Sequence, residues 1–491
     1  MHTSPTTLDP GKVQDVDTGD LIQNLYEGLV SYSEENKIIP QLAESWTMEN
    51  GGKTYVMKLR ANAKFHNGRD VTAEDVKFSL ERNSDPKFGS PTAGSYLADI
   101  VGFAERFEGK AKEISGLVVV DSKTIKITID KPRPYFLGKL TYPCAFVVAK
   151  ETAKDEEIND IEEVIGTGPF KLAKYDKDQQ LEMAPFADYY LGAPKIGKLV
   201  RPVIKDASTR LLKYRNNELD ILTLERQDLP AVESDAKLKA ELKAVDRPAI
   251  YYIGMNQGLY APFKDVRVRK AFAMAINRAK IAGDIIHLPE AKGFIPAGID
   301  GHRPDIKGIP FDPATARDLL AQAGYPGGKG LPPLTITYRE GRPDSQLLAV
   351  STVTDLKKNL GVEVATRAME WRTFLEARNA KKLQFVGLSW FADYLDPENF
   401  ISFLLTSKAV ENRDGYSNAK VDDLCARADV EPDVEKRRAM YQQAEDLLLE
   451  DAARIPAYFG RDMILVKPQV KGLRTNLFGT MVHTTVEIAE K

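Results

Sequence analysis

The first half of the chain alternates apolar and polar residues in the way that is typical of half-buried strands. One alternating segment lies at 55–59, directly after the turn-forming residues 50–52, and a second pair lies at 117–120 and 125–129. Because a strand places successive side chains on opposite faces, this alternation predicts hairpins. The first half is therefore expected to be mainly strand, with short helices.

The clearest helix signal in this half begins at Thr72. Asp75 stands three residues later, which is the capping-box pattern, and Val76 and Leu80 then fall on one helical face. We interpret this helix as scaffold.

After Pro262 the pattern changes to helices that alternate with strands. Apolar residues recur at helical spacing over 268–276, and a cap, a proline and a closing glycine delimit a helix from Asp312 to Gly324. This change in pattern predicts a second region of a different fold class.

A strand, a helix and a strand follow at 334–338, 344–360 and 362–366, and a long helix over 433–448 precedes a last strand at 455–459. Two strands joined through a helix are expected to make a right-handed crossover. The second half is therefore predicted to be α/β.

An acid follows the most apolar strand of this half. Residues 383–387 read as a buried strand, and Asp393 comes where that strand should end, among Trp390, Phe391 and Tyr394. A carboxylate in such surroundings loses hydration that only a cation or several hydrogen-bond donors can replace. The position therefore favours a positively charged ligand.

Helix capping is the alternative interpretation of the same acid. Asp393 or Asp396 could begin a helix that runs through Pro397 and Phe400, since aspartate is a common cap and proline suits the first helical position. The residues alone leave both interpretations open.

Composition limits the class of protein. With 491 residues and 43% hydrophobic content the chain can bury the cores of two or three domains, and 68 basic against 71 acidic residues give a net charge of only −3. This balance indicates neither nucleic acid nor an anionic membrane as a partner. Cys144 and Cys425 are too few and too far apart for a disulfide framework or a zinc site.

The sequence contains no run of 18 apolar residues, the length needed to span a bilayer. The first residues are polar, so we expect no signal peptide in this sequence. The five histidines show no metal-ligand spacing, and Ser389 lacks the second glycine of a nucleophile elbow. We therefore predict no catalytic residues, no metal and no cofactor.

The run 166–170 is only superficially similar to a phosphate-binding loop. Lys171 stands where such a loop needs its third glycine, and Pro169 blocks the start of a helix. A tight turn between two strands is predicted instead.

Nine short sequence blocks occur in an order and spacing that chance would rarely produce. They are LDP at 8–10, LYEGL at 25–29, AESW at 43–46, KFHNG at 64–68, TAEDV at 72–76, GTGPF at 166–170, DVRVR at 265–269, AGYP at 323–326 and EW at 370–371. Together they resemble the extracellular solute-binding proteins of ABC importers for peptides and nickel, over nearly the whole chain.

The resemblance implies a fold and its lobes. It implies the two-lobed α/β fold of periplasmic binding proteins, of class II in the large cluster with an extra subdomain, with the ligand between the lobes. Lobe one would comprise residues 1–256 and 463–491, with a subdomain inserted at about 47–165, and lobe two residues 257–462.

The resemblance also implies a ligand site. Asp393 corresponds to the aspartate that pairs with the α-ammonium of the peptide in oligopeptide-binding relatives. The main chain of Ser389, Trp390 and Phe391 would then bind an extended peptide as an added strand.

Other positions are less determined by the resemblance. Gln14, Asp15 and Val16 would contribute the matching strip from lobe one, although an ordinary polar loop is equally compatible. Some relatives hold the peptide carboxylate with a basic residue where this chain has Gly387. Arg378 could replace it, although an arginine on such a helix is commonly solvated or salt-bridged.

The function implied is that of a substrate-binding component that captures peptides between closing lobes and delivers them to a membrane permease. The alternatives are a relative that binds another small solute, such as an oligosaccharide, an opine or a nickel chelate, and a two-lobed hydrolase. A monomer in the periplasm or at the outer cell surface is expected.

Overall fold

The computed structural model describes residues 1–153 and 156–489, and at Thr480 it describes the main chain alone. The chain divides into two compact units, unit 1 with residues 1–222 and the part after 464, and unit 2 with residues 223–464. The lobe boundaries that the resemblance implies, at about 256 and 462, remain a prediction.

The α-helices, in chain order, are α1 Val16–Ile22, α2 Ala73–Asn83, α3 Ala93–Tyr96, α4 Phe103–Phe107, α5 Phe136–Lys139, α6 Ala207–Arg215, α7 Leu229–Glu233, α8 Ala236–Glu241, α9 Val266–Ala275, α10 Arg278–Lys280, α11 Pro313–Gln322, α12 Pro343–Leu360, α13 Trp371–Asn379, α14 Ser402–Leu405, α15 Ala419–Ala428 and α16 Val434–Glu450. A π-helix spans Ile281–Ile286. Short 3₁₀ helices lie at Pro10–Lys12, Asn50–Gly52, Pro143–Ala145, Ile161–Glu163, Arg226–Asp228, Ala261–Lys264, Pro326–Gly328, Pro397–Asn399 and His483–Thr485.

The strands are β1 Val30–Tyr32, β2 Ile38–Pro40, β3 Ala43–Glu49, β4 Thr54–Leu59, β5 Leu117–Asp121, β6 Thr124–Thr128, β7 Phe170–Asp176, β8 Gln180–Pro185, β9 Leu199–Pro202, β10 Ile221–Thr223, β11 Leu242–Met255, β12 Thr335–Arg339, β13 Ala365–Met369, β14 Phe385–Phe391, β15 Arg454–Val466, β16 Val470–Lys471, β17 Thr475–Asn476, β18 Gly479–Thr480 and β19 Glu487–Ile488.

Unit 1 contains a four-stranded sheet in the order β3-β4-β6-β5, a three-stranded sheet in the order β7-β8-β9, and three strand pairs. The predicted hairpins are confirmed, because β3 and β4 pair antiparallel around Asn50–Gly52, and β5 and β6 pair in the same way. Tyr55, Met57 and Leu59 face the core with at most 4% of their surface exposed. Alternation along these strands therefore selects the buried face.

The predicted capping box of α2 is also confirmed. The Thr72 hydroxyl oxygen accepts from the Asp75 N–H, and the Asp75 carboxylate accepts from the Thr72 N–H. Val76 and Leu80 are buried. Two main-chain N–H groups that the first turn would leave unpaired are thus satisfied, which fixes where the helix starts.

Residues 166–170 do not form the predicted turn between two strands. The segment lies along the main chain of Asn24 and Leu25, where the Gly168 N–H donates to Leu25 O at 3.0 Å. A β-carbon on Gly166 would lie 2.0 Å from Leu25 O, and one on Gly168 would lie 2.6 Å from Asn24 O. The two glycines are there because only a hydrogen allows this close approach of two main chains.

Unit 2 is built on a six-stranded mixed sheet in the order β10-β15-β11-β14-β12-β13. β11 pairs antiparallel with β14, while β12 pairs parallel with β13 and with the first residues of β14. The predicted strand-helix-strand unit is confirmed as β12, α12 and β13. Its second strand begins at Ala365 and not at Val362.

The helices of unit 2 begin and end where caps were predicted. Asp312 accepts from the N–H groups of Ala314 and Thr315 and starts α11 at Pro313. Gly361, with φ of +70°, ends α12. A left-handed residue is needed there, and glycine adopts that conformation without a side-chain clash.

Candidate functional site

The candidate site lies at the end of β14, where one edge of the strand loses its partner. β12 pairs with β14 only at Phe385 and Val386, whereas β11 follows β14 to Phe391. Within residues 1–153 and 156–489 no strand pairs with Ser389–Phe391 on the β12 side. The side chains change accordingly, from buried at 385–388 to half-buried at 389–391. β14 therefore has an open edge over its last residues.

The main-chain groups along this edge alternate in direction. The Ala392 N–H donates to Pro248 O on the β11 side at 2.9 Å. Because hydrogen-bonded and non-hydrogen-bonded residues alternate in an antiparallel pair, Trp390 also directs its N–H and C=O to β11. Ser389 and Phe391 direct theirs to the open edge. Of the three residues predicted to bind a peptide through the main chain, these two have the orientation for it.

Asp393 follows directly on this edge, and a buried amide holds it. Asn399 is fully buried, and its Oδ1 accepts from the Asp393 N–H at 3.0 Å and from the Trp390 indole N–H at 3.1 Å. The Asp393 side chain is half-buried. Asn399 thus fixes the main chain at the acid relative to the indole ring, a role that no local sequence signal indicates.

The capping role falls on Asp396 and not on Asp393. Asp396 accepts from the Glu398 N–H at 2.9 Å and caps the 3₁₀ helix Pro397–Asn399. Arg437 also binds it with two hydrogen bonds of 2.8 and 2.6 Å. The helix expected through Phe400 is only this one turn. Of the two residues that could cap a helix here, Asp396 does so.

Arg378 lies on α13, is 9% exposed, and has an internal acidic partner. Its Nη1 donates to Glu411 Oε2 at 3.0 Å. Burial alone would lower the pKa of Arg378, but the nearby Glu411 carboxylate raises it above its ordinary value. Arg378 is therefore salt-bridged, which was one of the alternatives to a ligand contact. Its predicted contact with a peptide carboxylate remains a prediction.

Gln14, Asp15 and Val16 lie in unit 1 at the start of α1. Asp15 caps this helix, because it accepts from the Thr18 N–H at 3.0 Å and from the Thr6 hydroxyl at 2.9 Å. Burial, together with Asp17, raises its pKa. Gln14 and Val16 flank the cap and are half-buried. Asp15 therefore has a structural role, and the predicted ligand contacts of all three residues remain predictions.

In the part of the chain that the structure describes, no three His, Cys, Asp or Glu side chains are grouped as metal ligands. None of its helices is both long and apolar enough to cross a bilayer.

Comparison with known proteins identifies the family. Residues 37–412 match the sequence profile of the bacterial extracellular solute-binding proteins, family 5. The chain belongs to this family. The predicted family is thereby confirmed, and with it the substrate-binding role that the main function prediction gives to this chain.

Three relatives show how far the likeness extends. The chain is 33% identical to the probable deoxycholate-binding periplasmic protein YgiS of Escherichia coli, over 96% of the chain and 89% of the relative. It is 30% identical to the periplasmic oligopeptide-binding protein OppA of E. coli, over 95% and 87%. The structure of the E. coli murein tripeptide-binding protein MppA matches with a TM-score of 0.91 at 30% identity, over 100% and 98%. The predicted two-lobed α/β fold class is thus confirmed.

Two of the sequence blocks of this family 5 protein have a clear structural use. Asp9, from the first block, is buried against Arg82, whose Nη2 donates to Asp9 Oδ2 at 2.6 Å. His66 accepts from the Gly166 N–H through Nδ1 and contacts Gly168 O through Nε2 at 2.9 Å. Burial lowers the pKa of His66 to about 4, so it is neutral at pH 7. These blocks hold the unit 1 scaffold together.

Proposed function

We propose that this chain is the substrate-binding component of an ABC importer, which captures peptides and delivers them to a membrane permease. The observation that carries the proposal is the open edge of β14, which ends at a carboxylate. The oligopeptide-binding protein OppA and the murein tripeptide-binding protein MppA are similar to this chain over nearly its whole length.

An extended peptide would add to β14 as a further strand. The N–H and C=O groups of Ser389 and Phe391 would pair with its main chain, so its side chains could vary without losing these bonds. Asp393 would pair with the α-ammonium group at the end of this strand. Such charge-assisted hydrogen bonds are among the stronger ones in proteins.

Asp393→Ala tests the assignment. We expect the variant to bind a short peptide with about 2 to 5 kcal/mol less free energy, because a desolvated ammonium loses its partner. Titration calorimetry of the purified chain measures this difference. Unchanged affinity would refute the role of Asp393.

Two controls sharpen the test. Asp423→Ala alters an exposed acid of unit 2, whose side chain is 66% exposed, and should leave peptide affinity unchanged. An N-acetylated peptide should bind the original chain weakly and lose nothing further in Asp393→Ala, because it has no ammonium to pair.

A second candidate ligand is an amphipathic acid of the deoxycholate type, and similarity to YgiS favours it. Such a ligand has no ammonium group. Asp393→Ala should then leave its affinity unchanged or improve it, which distinguishes the two ligand classes in the same calorimeter.

The proposal includes binding without turnover, by a monomer in the periplasm or at the outer cell surface. Incubation with a peptide mixture should return every peptide intact by mass spectrometry, and native mass spectrometry should give the mass of one chain. Cleaved peptides would support the hydrolase alternative.

A further inference from the structure

A small pocket in unit 2 collects basic side chains from three separate parts of the chain. It lies beside Tyr252 of β11 and Val386 of β14. The basic residues that line it are Arg378, Lys381, Arg413 and Arg454. Its lining also includes Asp414.

Acidic partners balance only half of this charge. Glu411 accepts from Arg378 at 3.0 Å and from Arg413 at 3.2 Å, while Asp414 accepts from Arg454 at 2.5 Å. Four basic and two acidic groups leave a net charge of plus two, of which the solvent-exposed Lys381 contributes one. The three arginines and two acids that remain have a net charge of plus one. Burial by itself raises the pKa of Glu411, but Arg378 and Arg413 together lower it below its ordinary value. Glu411 is therefore already ionised and supplies no further negative charge.

Two of the guanidinium groups also have nitrogen atoms left over. Arg378 Nη2 and Arg413 Nε are buried, and neither has a hydrogen-bond partner among the described residues. Arg378 as a whole is 91% buried, from its 9% exposure. A buried N–H of a charged group is costly to leave unpaired. Both residues line the same pocket, so an occupant of the pocket is the candidate partner for these two N–H groups.

The size of the pocket limits that occupant. It has room for about one water-sized group. We propose that this pocket binds one small monovalent anion, such as chloride, between Arg378 and Arg413. A water molecule would accept hydrogen bonds from the N–H groups but would leave the excess positive charge unbalanced. A halide would accept the hydrogen bonds and also balance the charge.

Bromide is the direct probe, because it replaces chloride and scatters X-rays anomalously. Crystals of the full chain grown or soaked in sodium bromide should show an anomalous peak within about 3.5 Å of Arg378 Nη2 and Arg413 Nε. Density without an anomalous signal would identify a water and overturn the proposal. A peptide carboxylate in the same position would also overturn it.

Solution stability gives an independent readout. At constant ionic strength, replacing sodium gluconate with sodium chloride should raise the melting temperature by about 2 °C or more and approach saturation, because the anion binds the folded state. Gluconate is too large for the pocket and so supplies the reference. Equal melting temperatures in the two salts would contradict the proposal.

Matched variants locate the effect. Arg413→Gln removes one cationic wall and should abolish the chloride dependence, whereas Arg267→Gln, at an arginine of α9 whose side chain is 45% exposed, should retain it. Asp393→Ala should also retain it. A chloride effect that survives Arg413→Gln would place the anion elsewhere.

Discussion

Two buried glutamates, one in each unit, are held in opposite ways. Glu411 of unit 2 lies between Arg378 and Arg413, and its pKa is lowered. Glu27 of unit 1 is 1% exposed and accepts only from neutral donors, among them the hydroxyl of Tyr189 at 2.6 Å. Burial raises the pKa of Glu27 to about 7, and its hydrogen bonds only partly offset that rise.

The difference shows that partners, and not burial, decide which buried carboxylates are charged. Both carboxylates lose their hydration, but only at Glu411 do nearby cations compensate for that loss. Glu411 therefore carries a fixed charge, whereas Glu27 titrates close to neutral pH. Substitutions at Glu411, Glu27 and Glu151 test this contrast, with effects that should decrease in that order.

The largest effect is expected from Glu411→Gln. This change removes the counter-charge of the buried Arg378 and of the half-buried Arg413, which should cost about 3 to 5 kcal/mol of unfolding free energy. Urea unfolding followed by circular dichroism measures the loss. Glu435→Gln, at a side chain that is 78% exposed, is the matched control and should unfold like the original chain. A loss in Glu411→Gln no larger than in this control would mean that the cluster is not held by charge.

A smaller, pH-dependent effect is expected from Glu27→Gln. Glu27 has an ordinary pKa of 4.5 when unfolded and of about 7 when folded. The unfolded state therefore releases its proton first, and folded stability falls as the pH rises from about 4.5 to about 7. Above that range the penalty is about 3 kcal/mol, and it is absent near pH 4.

Glutamine has no charge to bury, so Glu27→Gln should be more stable than the original chain at pH 8 and equal to it near pH 4. Urea unfolding at the two pH values measures this. His66 titrates equally in both chains and cancels from the difference. The same stability difference at both pH values would show that folding does not raise the pKa of Glu27.

The smallest effect is expected at a surface carboxylate that does have a cation. The Arg69 guanidinium lowers the pKa of Glu151 to about 2, at a side chain that is 38% exposed. Solvent screening reduces the value of such a pair, so Glu151→Gln should cost less than about 1 kcal/mol at pH 7. Because a lowered pKa contributes stability only above the unfolded value, the cost should vanish as the pH falls from about 4.5 to about 2.

Local signals predicted much of the fold. The capping box at Thr72, the Asp312 cap and the glycine at 361 each act within one helical turn, so the sequence alone contains the information. The position of Asp393 just after the end of β14 was predicted from the same kind of local pattern, whereas its ligand role stays a prediction. The start of β13 was placed too early, because Val362 and Val364 are buried and read as strand, although pairing with β12 begins only at Ala365.

The site depends on contacts that the sequence does not display. Glu411 meets Arg378 across 33 residues of chain, and Arg437 meets Asp396 across 41. The open edge of β14 arises because β12 stops pairing with it after Val386, which is a property of two strands together. No single-strand pattern reports such a divergence.

The open edge of β14 also sets a length scale. Ser389 and Phe391 are two residues apart, and strand residues rise about 3.3 Å each, so the outward-facing groups span roughly 7 Å. If a ligand strand adds to this edge as proposed, it would form main-chain hydrogen bonds over about three residues, whatever its total length. A longer peptide would form no further main-chain hydrogen bonds with this strand. Any preference for peptide length would therefore have to come from contacts elsewhere in the protein.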